Sequence, residues 1–149
     1  MKYYNIRISK RTKELINDFI SITNNKFNIS EALEKALYII SKLEYLDLNQ
    51  DINSKSYKYS SSLKFKIYDR DYEFINTIKN NYKLKSLNST LELIFYNSIK
   101  YIEKEKELDG IILKIEELKS LIYSKNLDDI NIMEIENVLE DAKERISEI

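Results

Sequence analysis

Residues 61–102 read SSLKFKIYDRDYEFINTIKNNYKLKSLNSTLELIFYNSIKYI, and their layout repeats one that begins about 59 positions earlier with YYNIRI at residues 3–8. Apolar residues alternate at the start of each copy, so that Tyr4, Ile6 and Ile8 match Leu63, Phe65 and Ile67. The next apolar cluster, Leu15, Ile16 and Phe19, matches Phe74, Ile75 and Ile78 at the same offset. A third set, Ile29, Ala32, Leu33, Ala36 and Leu37, matches Leu87, Thr90, Leu91, Ile94 and Phe95 at an offset of 58. Its i, i+3, i+4, i+7, i+8 spacing is that of a core-facing helix. The slip of one residue falls in the loop between the two helices. The chain is therefore expected to hold one strand–helix–helix unit twice.

Helix starts agree with this reading. Ser9 precedes the first helix and Asn28 the second, both favoured N-caps, and Glu31 completes a box-like pattern with Asn28. Asp69 and Ser86 hold the comparable places in the second unit. A lone strand would leave its backbone donors and acceptors open, and a two-stranded ribbon needs apolar backing. YYNIRI is accordingly expected to pair with LKFKI, residues 63–67.

A strand followed by two helices, with Arg7-Ile8 closing the first strand and NISEAL (28–33) opening the second helix, resembles the ribbon-helix-helix family of DNA-binding proteins. In that family two chains usually donate one strand each to an antiparallel ribbon; here one chain carries both. The resemblance implies a mainly α fold with a two-stranded antiparallel β-ribbon, built as an intramolecular pseudo-dimer. The expected divisions are unit 1 at residues 1–45, a linker at 46–61, unit 2 at 62–106 and an acidic C-terminal helical hairpin at 107–149. The sixteen linker residues, LDLNQDINSKSYKYSS, can stretch to roughly 50 Å, enough to cross a domain of this size.

Strand residues point alternately to opposite faces. With Tyr4, Ile6 and Ile8 turned to the helices, Tyr3, Asn5 and Arg7 face outward, as do Ser62, Lys64 and Lys66. Arg and Lys suit guanine O6/N7 and Asn suits adenine N6/N7, while Tyr3 can pack on a thymine methyl or reach a phosphate. A solvated sheet face would show the same alternation; the duplicated family layout tips the reading toward DNA base readout. The resemblance further implies that the backbone at Asn28, Ile29 and Ser30, and at Ser86, Leu87 and Asn88, clamps DNA phosphates, for which a helix N-terminus is suited. Lys83 and Lys85 in the preceding turn, and Lys10, Arg11 and Lys13 beside the first strand, would assist.

Charge divides along the chain. Residues 1–45 carry 8 basic and 5 acidic side chains, residues 63–106 carry 9 and 6, and residues 107–149 carry 5 and 12. An acidic tail is not expected to touch DNA. Within it Leu108, Ile111, Ile115, Leu118 and Ile122, then Ile132, Ile135, Leu139, Ala142, Ile146 and Ile149, step in heptad rhythm. Two helices joined near residues 125–129, capped by Asp128 or Asp129, are expected to pack on themselves, on the DNA-binding units, on a second copy or on another protein.

The 149 residues include no His, no Cys, no Pro and one Gly, Gly110. Helix should dominate. Metal sites of the usual kind, thiol chemistry and Gly-rich phosphate loops are not expected, and the nickel-responsive branch of the resembled family does not apply. The carboxylate pairs Asp69/Asp71 and Glu116/Glu117 read as a helix start and a solvated face, so neither an enzyme nor a cofactor is expected. No apolar stretch reaches membrane-spanning length, and a soluble, cytoplasmic protein is expected. Composition rich in Asn, Lys, Ile and Tyr fits an AT-rich mobile element such as a virus or plasmid. The leading functional expectation is a sequence-specific transcription regulator, a repressor by default. A plasmid-segregation adaptor and a protein-binding scaffold or antitoxin-like protein stand as alternatives.

Overall fold

The structure, a computed structural model, describes residues 1–48, 59–124 and 129–147. Among these the chain is mainly helical with one two-stranded antiparallel sheet. The element order is β1 (Lys2–Ser9), α1 (Lys10–Ile22), α2 (Ile29–Ser41), β2 (Tyr59–Ile67), α3 (Asp69–Asn81), α4 (Leu87–Ser124) and α5 (Asp129–Ser147). Met1–Tyr101 and Ile102–Ile149 form two compact units.

In the first unit strand–helix–helix occurs twice, and the one-residue slip has a backbone cause. Two left-handed residues, Asn24 and Asn25, turn the chain between α1 and α2, whereas Lys83 alone does so between α3 and α4. Asn tolerates this conformation through local hydrogen bonding; Lys83 at φ 52° takes a place usually given to Gly, at a cost of roughly 1 kcal/mol.

β1 and β2 pair within the one chain, in a register that sets Tyr3 against Lys66, Asn5 against Lys64 and Arg7 against Ser62. The inward residues Ile6, Ile8, Phe65 and Ile67 are buried, with Tyr4 and Leu63 half-buried beside them. The two repeats share one core. Phe19 of α1 meets Phe95 of α4 edge-on at 5.4 Å between centroids, and Tyr4 of β1 stacks on Tyr72 of α3 at 4.0 Å. Each strand is also tied to the second helix of the opposite repeat's numbering. Lys66 N–H of β2 donates to Ser30 Oγ of α2, and Ser9 N–H at the end of β1 donates to Asn88 Oδ1 of α4. The second bond takes Ser9 out of the regular ladder, where a bulge lies between Ile8 and Ser9.

Three of the four expected caps are as read. Ser9 Oγ accepts from Thr12 N–H, Asn28 and Glu31 form a reciprocal capping box, and Ser86 Oγ accepts from Ser89 N–H. Asp69 is not a cap. Tyr68 holds that position without a side-chain bond, because Asp69 is the first residue of α3 and turns its carboxylate to Lys2 and the Tyr4 hydroxyl.

The linker is shorter than 46–61. β2 begins at Tyr59, and at the other end Leu46 is buried, with its N–H donating to the Tyr82 hydroxyl. Asp47 and Asn97 exchange backbone–side-chain hydrogen bonds, and Lys100 bonds the Asp47 carboxylate, which holds the ammonium above the ordinary lysine range. Residues 49–58 lie outside the described residues.

The second unit departs from the expected boundary at 107, since α4 runs unbroken from Leu87 to Ser124. Gly110 lies inside that helix with open space around its α-carbon, so it marks no turn. Within this unit Lys143 bonds Glu116 at 2.7 Å and Lys119 bonds Glu140, an order that makes α4 and α5 antiparallel. Lys143 holds the Glu116 carboxyl below its usual range, so that Glu116, its side chain still 45% exposed, is paired with α5, while Glu117 is exposed. The row of α4 that is covered is Leu108, Ile112, Ile115, Lys119 and Ile122. Ile111 and Leu118, expected in that row, are exposed, and Leu121 lies exposed beside them. Of the turn expected near 125–129, residues 125–128 lie outside the described residues, as does Ile149, while Asp129 is the first residue of α5 and not its cap.

Candidate nucleic-acid interface

The antiparallel register and the two-residue side-chain period fix the outer face of the ribbon. Tyr3, Asn5, Arg7, Ser62, Lys64 and Lys66 are all exposed on it, in three cross-strand pairs. Neither strand contains a carboxylate, so the face has three cations and no anion of its own. Lys64 Nζ lies 4.5 Å from the centroid of the Tyr3 ring and Lys66 Nζ 5.7 Å. The ring face is electron-rich and holds both ammonium groups over it while leaving their donors accessible. The face can therefore offer hydrogen bonds from Arg, Lys and Asn in one plane.

The two second helices start differently from one another. At α2 the Asn28 side chain takes Glu31 N–H and the Glu31 carboxylate takes Asn28 N–H, so the Asn28 backbone donor is already used. That removes it from the phosphate set. By helix geometry the donors of the next two residues, Ile29 and Ser30, have no intrahelical acceptor; those of Leu87 and Asn88 are equivalent in α4. The Ser30 hydroxyl is engaged by Lys66 N–H, and the Asn88 side chain is buried with its Oδ1 on Ser9. Both side chains position the ribbon; Ser30 stays half-buried, whereas Asn88 is 1% exposed as a whole residue, which removes it from the phosphate set as well. Lys83 and Lys85 are exposed in the loop ahead of α4, beside Ser86.

Arg11 does not belong with the assisting cations. Its Nε donates to Glu92 Oε1 at 2.6 Å, and that carboxylate is only 2% exposed on α4. A carboxylate taken out of water must be paired, and the guanidinium is committed to it. Lys10 and Lys13 remain exposed on α1, with Lys10 3.9 Å from Glu14. The Arg11–Glu92 pair escaped sequence reading, although Glu92 lies between Leu91 and Leu93 in an otherwise apolar run, the one available signal. Asn88 and Ser9 likewise gave no sign in sequence of bonding across repeats.

Among the described residues no cluster of acidic side chains suits a metal ion, and no helix is long and apolar enough to cross a membrane. No family model, curated protein or solved structure matches the chain.

Proposed function

We propose that residues 1–101 are a single-chain ribbon-helix-helix module that binds double-stranded DNA, with the ribbon in the major groove, and that the protein regulates transcription, by default as a repressor. The observation that carries this reading is the exposed, carboxylate-free face of Tyr3, Asn5, Arg7, Ser62, Lys64 and Lys66, whose width as a two-stranded ribbon suits the groove. Ile29, Ser30 and Leu87, all half-buried, contribute backbone donors to flanking phosphates, and Lys83 and Lys85 add charge there. Base readers and phosphate contacts separate experimentally. Arg7→Ala is expected to cost about 1–3 kcal/mol on the preferred duplex and far less on random DNA. Lys85→Ala should weaken binding to all sequences alike and lower the salt slope by about one unit. Salt titrations on both duplexes measure these together. Equal losses for Arg7→Ala on both, or none on either, would remove the ribbon face from the reading.

The second unit serves self-association in this proposal. Ile111, Leu118 and Leu121 adjoin the covered row of α4 but are exposed, so its apolar stripe is wider than one neighbouring helix covers. A second copy of the hairpin would complete a four-helix arrangement. The full-length double variant Leu118→Glu/Leu121→Glu is expected to sediment as a monomer and to lose cooperativity on adjacent sites, with single-site affinity within about twofold of the parent. Unchanged sedimentation would rule this surface out.

A further inference from the structure

The register places the repeat's own axis of symmetry on a pair of unlike residues. Matching positions in the two strands differ by 59, and Asn5 is paired with Lys64, so each is the other's counterpart and its cross-strand neighbour. The local two-fold axis of the ribbon therefore passes between them. On either side of it Tyr3 opposite Lys66 corresponds to Ser62 opposite Arg7. The flanking cations Arg7 and Lys66 are counterparts with the same preference for guanine O6/N7. The central counterparts are not alike: Asn5 suits adenine N6/N7, whereas Lys64 suits guanine. The side chains lean the same way, since Lys64 lies over the Tyr3 ring and gathers with Lys66 at one end, while Arg7 stands with Ser62 at the other.

Resting on the DNA-binding reading above, we infer that the preferred duplex is an inverted repeat with matching outer guanines and a broken centre, where one of the two innermost equivalent positions is adenine and the other guanine. A two-chain ribbon of identical strands cannot favour such a site over a palindrome in both half-sites at once. This chain can, because Asn5 and Lys64 are encoded separately. The site also has a direction, so the protein binds it in one orientation.

The test is selection from a randomised duplex pool by the full-length protein and by two variants that make the centre uniform, Asn5→Lys and Lys64→Asn. Both residues are exposed on the strand face, so each exchange leaves the core untouched. The parent should enrich a broken centre. Asn5→Lys should shift preference to guanine at both inner positions and Lys64→Asn to adenine at both, each by about tenfold relative to the parent site. A parent consensus that is palindromic throughout, or variants whose central preference matches the parent's, overturns this inference while DNA binding stands. Failure of the parent to enrich any duplex overturns the DNA-binding reading itself.

Discussion

Phe95→Ala is expected to lower the stability of residues 1–101 by about 3–5 kcal/mol, in a single unfolding transition. Phe95 is completely buried on α4 and its ring meets the equally buried Phe19 of α1, so the cavity would open on the seam between the repeats. Total stability for a domain of this size is about 5–15 kcal/mol, and the loss would take a large part of it. Urea titration followed by far-ultraviolet circular dichroism and by tyrosine fluorescence provides the measurement. Because β1 and β2 pair across the repeats and Ser30 and Asn88 tie helix starts to strands, both probes should report the same lowered midpoint. Two separate transitions, with only the second repeat weakened, would contradict a shared core.

The other large effect belongs to the ion pair. Arg11→Ala should cost about 2–4 kcal/mol, more than the ~1 kcal/mol at most of an exposed pair, because it leaves the Glu92 carboxylate buried with less to offset its lost hydration. Arg11 itself is 43% exposed, which keeps the figure below that of a fully enclosed pair. The double variant Arg11→Met/Glu92→Leu should recover most of the loss, since it removes both charges and fills similar space. Equal destabilisation by the single and double variants would show that packing of the Arg11 stem, not the charge of Glu92, is what matters. Lys10→Ala, on the exposed neighbour, should change stability by no more than about 0.5 kcal/mol.

What the sequence displayed was periodicity. Alternation in YYNIRI and LKFKI, together with the helical spacing of Ile29–Leu37 and Leu87–Phe95, was enough to anticipate an intrachain ribbon and its pairing, because one face of each element is buried and period alone says which. Asp69 misled as a cap because the same carboxylate also lies near Lys2 and the Tyr4 hydroxyl, partners 67 and 65 positions away. Distant pairing of that sort leaves no local pattern. Arg11 misled for the same reason: its basic character suits phosphate as well as carboxylate, and only the burial of Glu92 decides between them. In the second unit the apolar positions outnumber what one neighbouring helix can cover, so a row through Ile111 and Leu118 looked as good as the one through Ile112 and Lys119. The Lys119 and Lys143 ion pairs with Glu140 and Glu116 mark the face that is covered, and the amphipathic stem of Lys119 lies on it.

Pairing β1 with β2 inside one chain also changes how the protein responds to dilution. A ribbon shared by two chains exists only above the concentration at which those chains associate, and its amount then falls with the square of the protein present. Here the second strand is always within reach of the first, at an effective concentration fixed by the connecting residues and not by expression level. The folded ribbon is consequently as abundant per molecule at a few copies per cell as at many, and its supply is proportional to synthesis, without a threshold.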